Sequence, residues 1–316
     1  MTEGIILLDK PPGQTSFQSL GFLKRCLGTR RIGHAGTLDK FAEGLLIVLV
    51  GRMTRLCSLA TSLDKEYLAV MTFGRGTDTL DPEGTVTAEG PVPSREAVEA
   101  VLPEFRGAFS QVPPAYSAVH VNGGRASEAA RKGQAVQLQP RAVRIARLEM
   151  LEYRPPEVSF RIACSKGTYI RSLARDVAAR LGTCAHVSKL RRIRIGGFSV
   201  DDACSPNAFD PARDVLSPAV FFRAVPALGR LAVKQEWTVP VSRGIKLDSV
   251  LFAEAPAGEG TFGAFSPDLR LLAVIEKSRS GMKYLATFPE RAAAEPRIPG
   301  ASAEPRIPGA AAGTTG

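Results

Sequence analysis

One aspartate, Asp39, lies in a glycine-framed segment that could hold a carboxylate in a fixed position. Residues 33 to 46 read Gly-His-Ala-Gly-Thr-Leu-Asp-Lys-Phe-Ala-Glu-Gly-Leu-Leu. Glycine permits backbone conformations that side chains forbid, so this spacing predicts a shaped loop. The apolar run 45–50 would anchor the loop to the core. An aspartate after a turn is more often a helix N-cap or a turn residue, so the segment alone does not decide its role.

The composition indicates a globular protein with a polyanionic partner. The 316 residues exceed one average domain, and 44% of them are hydrophobic. A formal charge of +10 indicates nucleic acid as the partner. No stretch approaches the roughly 20 apolar residues that span a membrane, and no signal peptide is recognised. We therefore expect a cytoplasmic protein.

The cysteines and histidines do not form a metal site or a disulfide framework in the sequence. No Cys-x-x-Cys pair occurs, and the histidines show no metal-ligand spacing. These residues are Cys26, Cys57, Cys164, Cys184, Cys204, His34, His120 and His186. We expect neither a metal nor a cofactor.

Further segments with chemically useful residues occur along the chain. They read Asp-Lys-Pro-Pro-Gly-Gln-Thr-Ser at 9–16, Lys-Glu-Tyr at 65–67, Gly-Arg-Gly-Thr-Asp-Thr-Leu-Asp-Pro-Glu-Gly at 74–84, Gln-Val-Pro-Pro-Ala-Tyr-Ser-Ala at 111–118, Cys-Ser-Lys-Gly-Thr-Tyr-Ile-Arg-Ser-Leu-Ala-Arg-Asp at 164–176, and Ala-His-Val-Ser-Lys-Leu-Arg-Arg at 185–192. With the Asp39 segment, and in this order, the set resembles the TruB family of pseudouridine synthases. The resemblance covers about residues 4 to 200.

The resemblance implies an isomerase that converts a uridine of tRNA, position 55 of the T-loop, to pseudouridine without a cofactor. It implies that Asp39 is the catalytic carboxylate. This group could attack C1′, attack the base, or abstract a sugar proton to form a glycal, and the sequence leaves these routes open. Burial would raise its pKa, so a nearby cation should oppose that shift.

The resemblance also assigns side chains around Asp39. Arg171 would pair with Asp39; its place in the first turn of a helix, where the macrodipole disfavours a cation, also indicates an anionic partner. Tyr67 would stack on the target base and could accept the C5 proton. Tyr169 and Leu190 would line the pocket, and His34 would fill the space that the flipped base leaves in the RNA loop.

A dense basic strip at residues 189–194 predicts a phosphate contact surface. Its members are Lys189, Arg191, Arg192 and Arg194. Two positions depart from the family pattern. Lys40 replaces the usual proline and should loosen the backbone beside Asp39, and His120 replaces a common lysine. Segment 74–84 does not fit an EF-hand and should be a structured turn that shapes the RNA groove.

The hydrophobic pattern predicts an α+β fold around a mixed, largely antiparallel sheet with flanking helices. Strands are expected at 5–8, 45–50, 67–73, 143–151 and 158–164. Helices are expected at 94–102, at 168–181, and after Ser16 as the N-cap of a helix through 27.

The domain plan follows from changes in pattern along the chain. Residues 1–228 should form the catalytic domain. Residues 229–290, with short strand-like pieces at 231–233, 237–241, 249–252 and 271–275, should form a small β domain that resembles the RNA-binding PUA domain. Residues 291–316 repeat Ala-Glu-Pro-Arg-Ile-Pro-Gly-Ala and should be disordered.

We expect a monomer that acts on the T-arm of tRNA and does not bind a membrane. A tRNA chaperone without catalysis is a second hypothesis, but binding alone needs no carboxylate in a basic groove. A guide-RNA-dependent synthase is a third, and the lack of long basic extensions favours standalone action.

Overall fold

The computed structural model describes residues 2–117, 119–121, 124–134 and 137–289, without the side chains of 120, 121 and 125. The interpretations of the His120 side chain and of the tail at 291–316 lie outside these residues. The strands are β1 (Gly4–Lys10), β2 (Ile32–Ala35), β3 (Glu43–Val50), β4 (Lys65–Phe73), β5 (Arg75–Thr77), β6 (Val86–Glu89), β7 (Gly107–Gln111), β8 (His120–Val121), β9 (Gly124–Arg125), β10 (Arg141–Arg154), β11 (Glu157–Cys164), β12 (Ala185–Ile195), β13 (Phe198–Ser199), β14 (Leu228–Ala232), β15 (Gly260–Phe265), β16 (Leu271–Ser278) and β17 (Gly281–Thr287). The helices are α1 (Gly21–Cys26), α2 (Cys57–Ser62), α3 (Arg95–Val101), α4 (Ala126–Arg131), α5 (Ile170–Arg180), α6 (Pro211–Asp214), α7 (Pro218–Ala224) and α8 (Thr238–Ser242).

A nine-stranded sheet forms the centre of the fold. Its main order is β1-β3-β12-β4-β11-β10-β7, while β2 pairs with β3 and β13 pairs with β12. Strands β12 and β3 run parallel, and the other pairs in this sheet are antiparallel. The predicted α+β class with a mixed, largely antiparallel sheet is confirmed.

Strand β4 shows how this sheet packs against helix α5. Its burial alternates residue by residue, so Tyr67, Met71 and Phe73 face the core while Leu68 faces outward. In a strand, successive side chains point to opposite faces. The buried face packs against α5, which contributes Leu173 to the same cluster. This packing fixes the start of α5 near the centre of the sheet.

Gly44 permits the close approach of β3 and β12. Its φ is +105°, and a Cβ there would lie 2.3 Å from the carbonyl oxygen of Arg192. A larger residue would push the two strands apart, since both the conformation and the space require glycine. The parallel contact brings Arg192 next to the segment that carries Asp39.

The helix predicted after Ser16 is shorter and starts later than expected. A 3₁₀ turn covers Gln18–Leu20 and α1 begins at Gly21, with no side-chain cap from Ser16. The predicted strand pieces at 237–241 and 249–252 are also wrong, because 238–241 lie in α8 and 249–251 in a 3₁₀ turn. Pro240 explains part of this error: it cannot donate to a strand ladder but fits the first turn of a helix.

The C-terminal strands β14 to β17 form a separate four-stranded sheet that shares a hydrophobic cluster with the large sheet. Phe265 and Val274 are 4% and 1% exposed in this cluster. The ring of Phe265 lies 5.4 Å from that of Phe222, edge to face. Arg52 also donates to the carbonyl of Pro289. The two sheets therefore stabilise each other.

We expect removal of residues 229–316 to destabilise the remaining chain. The truncation uncovers Phe222 and its neighbours, and each large apolar side chain is worth about 1.5 to 3 kcal/mol when buried. Urea denaturation should show a loss of at least about 3 kcal/mol. Removal of 291–316 alone is the matched control and should leave the midpoint unchanged. Equal midpoints for both truncations would contradict the shared core.

Candidate active site

The Asp39 loop is held from both sides by the segment 10–16. The Ser16 hydroxyl accepts from the Leu38 amide at 2.8 Å and donates to the Leu38 carbonyl at 3.1 Å. The Gly13 amide donates to the Lys40 carbonyl at 2.8 Å. Ser16 thus positions the residue before Asp39, and Gly13 the residue after it. These hydrogen bonds hold the backbone on both sides of Asp39; that Lys40, in place of proline, loosens it stays a prediction.

Lys10 stabilises the segment that holds the Asp39 loop. It is fully buried, and its Nζ donates to the carbonyls of Pro11 at 2.8 Å and Gln14 at 2.7 Å. Burial lowers the pKa of Lys10 to about 8, although the Asp39 carboxylate opposes that shift. The sequence motif at 9–16 is therefore a clamp on the Asp39 loop, a role that we did not predict.

Arg171 is the buried cation of the site. It is 4% exposed, and its Nη2 donates to Asp39 Oδ1 at 2.8 Å and to the Tyr116 carbonyl at 3.0 Å. Its Nη1 donates to the Thr79 carbonyl at 2.8 Å and lies 3.2 Å from Asp81 Oδ2. The contact between Arg171 and Asp39 that the resemblance implies is present. The second carboxylate, Asp81, was missed, although segment 74–84 contained it.

The start of α5 is fixed by the segment that follows β7. The Gln111 side chain accepts from the Tyr169 amide at 2.8 Å and donates to the Tyr169 carbonyl at 3.2 Å. The Val112 carbonyl accepts from the Ser172 hydroxyl at 2.8 Å. These bonds flank Arg171 on both sides, so its backbone has little freedom to move.

Two opposing effects set the pKa of Asp39, and the larger one is burial. Desolvation in the site raises the pKa of the Asp39 carboxyl, and the adjacent Arg171 guanidinium opposes this rise. The Asp39 side chain is 34% exposed, whereas that of Arg171 is 4% exposed. The carboxylate is therefore accessible to a ligand, while the buried guanidinium holds it in position.

Tyr67 and Leu190 form an apolar wall in the same core cluster as Leu38 and Ile170. Tyr67 is 8% exposed and Leu190 is 6% exposed. Burial raises the pKa of Tyr67 to about 12, so its phenol is protonated near neutral pH. Tyr169 is half-buried at the N-cap of α5, and burial raises its pKa as well. These side chains border the region that Asp39 faces.

The basic strip divides between the two faces of β12. Arg192 is 1% exposed and donates to the carbonyls of Leu45 at 2.8 Å and Gly36 at 3.0 Å. Its guanidinium also opposes the rise in the pKa of Tyr67 that burial causes. The prediction that Arg192 belongs to a surface strip is wrong, because successive residues of a strand face opposite sides and a register shift follows Arg192. Arg192 instead supports the site from the core side.

The other members of the strip differ in their pairing. Lys189 and Arg194 are exposed. Arg191 is half-buried and forms two bonds to Asp9, at 2.8 and 3.2 Å, with Glu43 at 3.4 Å. Lys189 and Arg194 are thus available to a phosphate, while Arg191 would have to leave two carboxylates.

His34 lies on β2, half-buried. Burial and the nearby Arg192 lower its pKa, so the imidazole is neutral near neutral pH. Within the described residues its buried Nδ1 has no hydrogen-bond partner. A neutral ring fits a space-filling role better than proton transfer to the substrate.

Segment 74–84 is a structured turn, as predicted. Asp78 Oδ1 accepts from the amides of Thr79 at 2.9 Å and Thr85 at 2.8 Å. Asp81 Oδ1 accepts from the Thr79 hydroxyl at 2.6 Å. Glu83 lies 2.8 Å from the Lys40 ammonium, and both side chains are exposed. The turn therefore contacts the Asp39 loop through Lys40 and through Arg171.

An open groove of about 670 Å³ passes beside the Asp39 loop over the face of the sheet. It is lined by Phe41 and Leu190 near the site and by Leu68, Leu151 and Lys189 farther out. Within the described residues, no group of acidic, histidine or cysteine side chains has a metal-binding arrangement. The same part of the chain contains no helix that is long and apolar enough to cross a membrane.

Comparison with known proteins shows the family of the chain. A model of the TruB family pseudouridylate synthase N-terminal domain matches residues 24–170, and one of the tRNA pseudouridylate synthase B C-terminal domain matches 171–211. The tRNA pseudouridine synthase B of Borreliella burgdorferi (strain ZS7) is 44% identical over 64% of this chain and 73% of its own. That of Mycobacterium sp. (strain KMS) is 40% identical over 86% and 92%.

Solved structures show the same fold. The Cbf5 protein of a Cbf5-Nop10-Gar1 complex is similar with a TM-score of 0.68 and 26% identity, over 91% of this chain and 87% of the other. A chain of an H/ACA RNP bound to a substrate RNA that contains 2′-deoxyuridine gives 0.65 and 26%, over 86% and 77%. The sheet thus has the architecture of a pseudouridine synthase. The chain belongs to the TruB family of these enzymes, and the predicted isomerase class is confirmed.

Proposed function

We propose that the protein isomerises the uridine at position 55, in the T-loop of tRNA, to pseudouridine. The reaction breaks the bond from C1′ to N1 and forms one from C1′ to C5. N1 gains a proton, and the proton at C5 is released. The reaction is redox-neutral and needs no cofactor. The curated relatives named tRNA pseudouridine synthase B, at 40% to 44% identity, support the substrate class.

The pair of Asp39 and Arg171 carries the proposal. A carboxylate 34% exposed, with one oxygen 2.8 Å from a buried guanidinium, suits a group that must act on a sugar or a base. The second oxygen has no hydrogen bond in the described residues. Desolvation raises the pKa of the carboxyl on balance, and the guanidinium opposes that rise and so favours the ionised form. Attack on C1′, attack on the base and glycal formation all require that charge.

To reach the pocket, the target base must leave the stack of the RNA loop. This unstacking costs a few kcal/mol of free energy. The ring of Tyr67 and the side chain of Leu190 can receive the flipped uracil, and stacking on an aromatic ring offsets about 1 to 3 kcal/mol. A neutral His34, on β2 before the Asp39 loop, would fill the vacated space in the RNA.

We expect Tyr67→Phe to separate stacking from proton transfer. The phenyl ring remains, so affinity for tRNA should change less than about threefold. Loss of the hydroxyl, which must give up its own proton before it can accept the one from C5, should lower kcat by about a hundredfold. Tyr67→Ala should weaken binding by about tenfold, because the stacking surface is gone. Single-turnover rates and filter binding measure the two effects. Full activity in Tyr67→Phe would exclude the hydroxyl from the transfer of the C5 proton.

The C-terminal sheet is proposed as a second RNA contact, with its domain at 229–290. This domain carries Arg230 on β14 and Arg243 after α8, both exposed, and Lys234, which is partly buried. Replacement of all three by alanine should flatten the salt dependence of tRNA binding, since each phosphate contact contributes about 0.7 to 0.9 to the logarithmic slope. Binding across a salt series measures this. An unchanged slope and affinity would exclude these residues from the RNA interface.

We propose standalone action by a monomer in the cytoplasm, where tRNA is available. A guide-dependent mode is the second candidate, because the similar solved structures come from Cbf5 and H/ACA complexes. Those structures are 26% identical to this chain, while the tRNA pseudouridine synthase B relatives are 40% to 44% identical. The closer relatives favour action without a guide.

The test is incubation of purified protein with an unmodified tRNA transcript, without guide RNA, followed by mapping of pseudouridine. We expect modification at position 55 in the transcript and in an isolated T-arm hairpin. Modification only after addition of a guide RNA would favour the second candidate. Binding without modification would favour the chaperone hypothesis.

A further inference from the structure

Phe17 is the most exposed large apolar side chain in the described part of the chain, at 70%. The Lys24 ammonium lies 4.5 Å from the centre of its ring. One face of the ring thus contacts a cation, and the remaining surface is open to solvent. An isolated exposed apolar residue is common on proteins, so exposure alone does not indicate a site.

Hydrogen bonds on either side of Phe17 hold its backbone in place. The Gln18 side chain accepts from both the amide and the hydroxyl of Thr15, at 2.9 and 3.0 Å. The Ser19 hydroxyl donates to the Thr15 carbonyl at 3.2 Å. Ser16, next to Phe17, holds Leu38, next to Asp39. A rigid turn therefore presents the ring within two chain positions of the clamp on the Asp39 loop.

The surroundings of the ring are cationic. Residues 10–38 contain no Asp or Glu. Besides the buried Lys10, four cations in this stretch form no ion pair with a carboxylate within the described residues; they are Lys24, Arg25, Arg30 and Arg31. Such cations attract phosphates, and an aromatic ring beside them adds a stacking surface for a base. A protein partner would instead need a contiguous apolar area, which one ring does not supply.

We propose that Phe17 stacks on an unpaired nucleotide of the substrate RNA, next to the uridine that enters the Asp39 pocket, while Lys24 and Arg25 bind the adjoining phosphates. This contact rests on the proposed function. It gives the enzyme a second base-binding position outside the pocket, which fixes the RNA loop before the target base is flipped. Phe17 is thus a binding residue, and the chemistry remains with Asp39.

The test compares Phe17→Ala with Phe17→Trp on unmodified tRNA. Loss of the ring should raise KM about tenfold and leave kcat within about threefold, because a stacking contact is worth about 1 to 3 kcal/mol in binding. Phe17→Trp should restore KM. Its added indole should also be quenched when RNA binds, relative to the wild type with Trp237 alone. Val250→Ala, at a position that is 55% exposed, is the matched control.

The position of the stacked nucleotide can be mapped by a double-mutant comparison. T-arm hairpins with one abasic unpaired nucleotide each are assayed with wild type and Phe17→Ala. At one loop position other than the target, the abasic change should remove most of the tenfold difference between the two proteins. Equal KM values for Phe17→Ala, Val250→Ala and active wild type would overturn this inference alone. Inactive wild type would instead overturn the proposed function.

A second copy of the chain is the competing occupant of this surface. Sedimentation velocity of wild type and Phe17→Ala distinguishes the two. A dimer that Phe17→Ala dissociates would overturn the RNA contact, whereas identical monomer profiles with the KM difference would support it.

Discussion

Asp39→Asn should abolish pseudouridine formation while the protein still binds tRNA. The amide is nearly the same shape, and its oxygen can still accept from Arg171, so the loop should keep its form. Only the negative charge is lost, and each candidate route requires it. We expect the single-turnover rate to fall by at least about 10⁴-fold, as for removal of other essential carboxylates or nucleophiles. Affinity for tRNA should change less than about tenfold.

Asp176→Asn is the control for this variant. It removes a carboxylate from α5 that pairs with Arg175 at 2.8 Å and not with the site. We expect it to retain activity within about threefold. Measurable turnover by Asp39→Asn, above what contamination by wild type explains, would remove Asp39 from the chemistry.

Arg171→Lys should lower kcat and move the acid limb of the pH profile to higher pH. The guanidinium contacts Asp39, Asp81 and the carbonyls of Thr79 and Tyr116. A single ammonium cannot reach all four, since lysine lacks the planar fork of donors. We expect kcat to fall by about 10² to 10³-fold, as for loss of an oriented electrostatic contact.

The direction of the pH effect follows from the charges. Burial raises the pKa of Asp39, and Arg171 opposes that rise. A lysine ammonium that reaches Asp39 less closely would oppose it less, so the pKa should rise further. Because the carboxylate is the active form, the rate should then decline at a higher pH as the solution is acidified. Arg180→Lys, paired with exposed Glu104 at the other end of α5, is the control. A limb that stays in place, in a variant that remains folded, would contradict a charge effect of Arg171 on Asp39.

The regular parts of the fold followed from local pattern. Alternation along 158–164 predicted β11, and helical spacing from Ile170 to Val177 predicted α5, because each element buries one face. Strand β12 was not predicted as a strand, although its residues were recognised as a family block. Because β12 was missed, Arg192 was placed on the surface with the other cations. A run of four cations in six residues does not indicate that one of them is buried.

The contacts between distant segments could not be read from the sequence. Ser16 has the residue type and position of a helix cap, yet its hydroxyl bonds to Leu38, 22 residues away. Gln111 and Asp81 likewise act through partners in other segments. Tertiary hydrogen bonds of this kind depend on the sheet order, which neither propensity nor spacing determines. The resemblance named candidate site residues but did not show what holds them.

Release of the C5 hydrogen measures the central claim most directly. A tRNA transcript labelled with tritium at C5 of uridine loses the label only where C5 becomes bonded to C1′. With wild type, without guide RNA, we expect one equivalent of tritium released per tRNA and pseudouridine at position 55, and no release with Asp39→Asn. Release by Asp39→Asn at the wild-type rate, or none from wild type on a folded tRNA, would contradict the account.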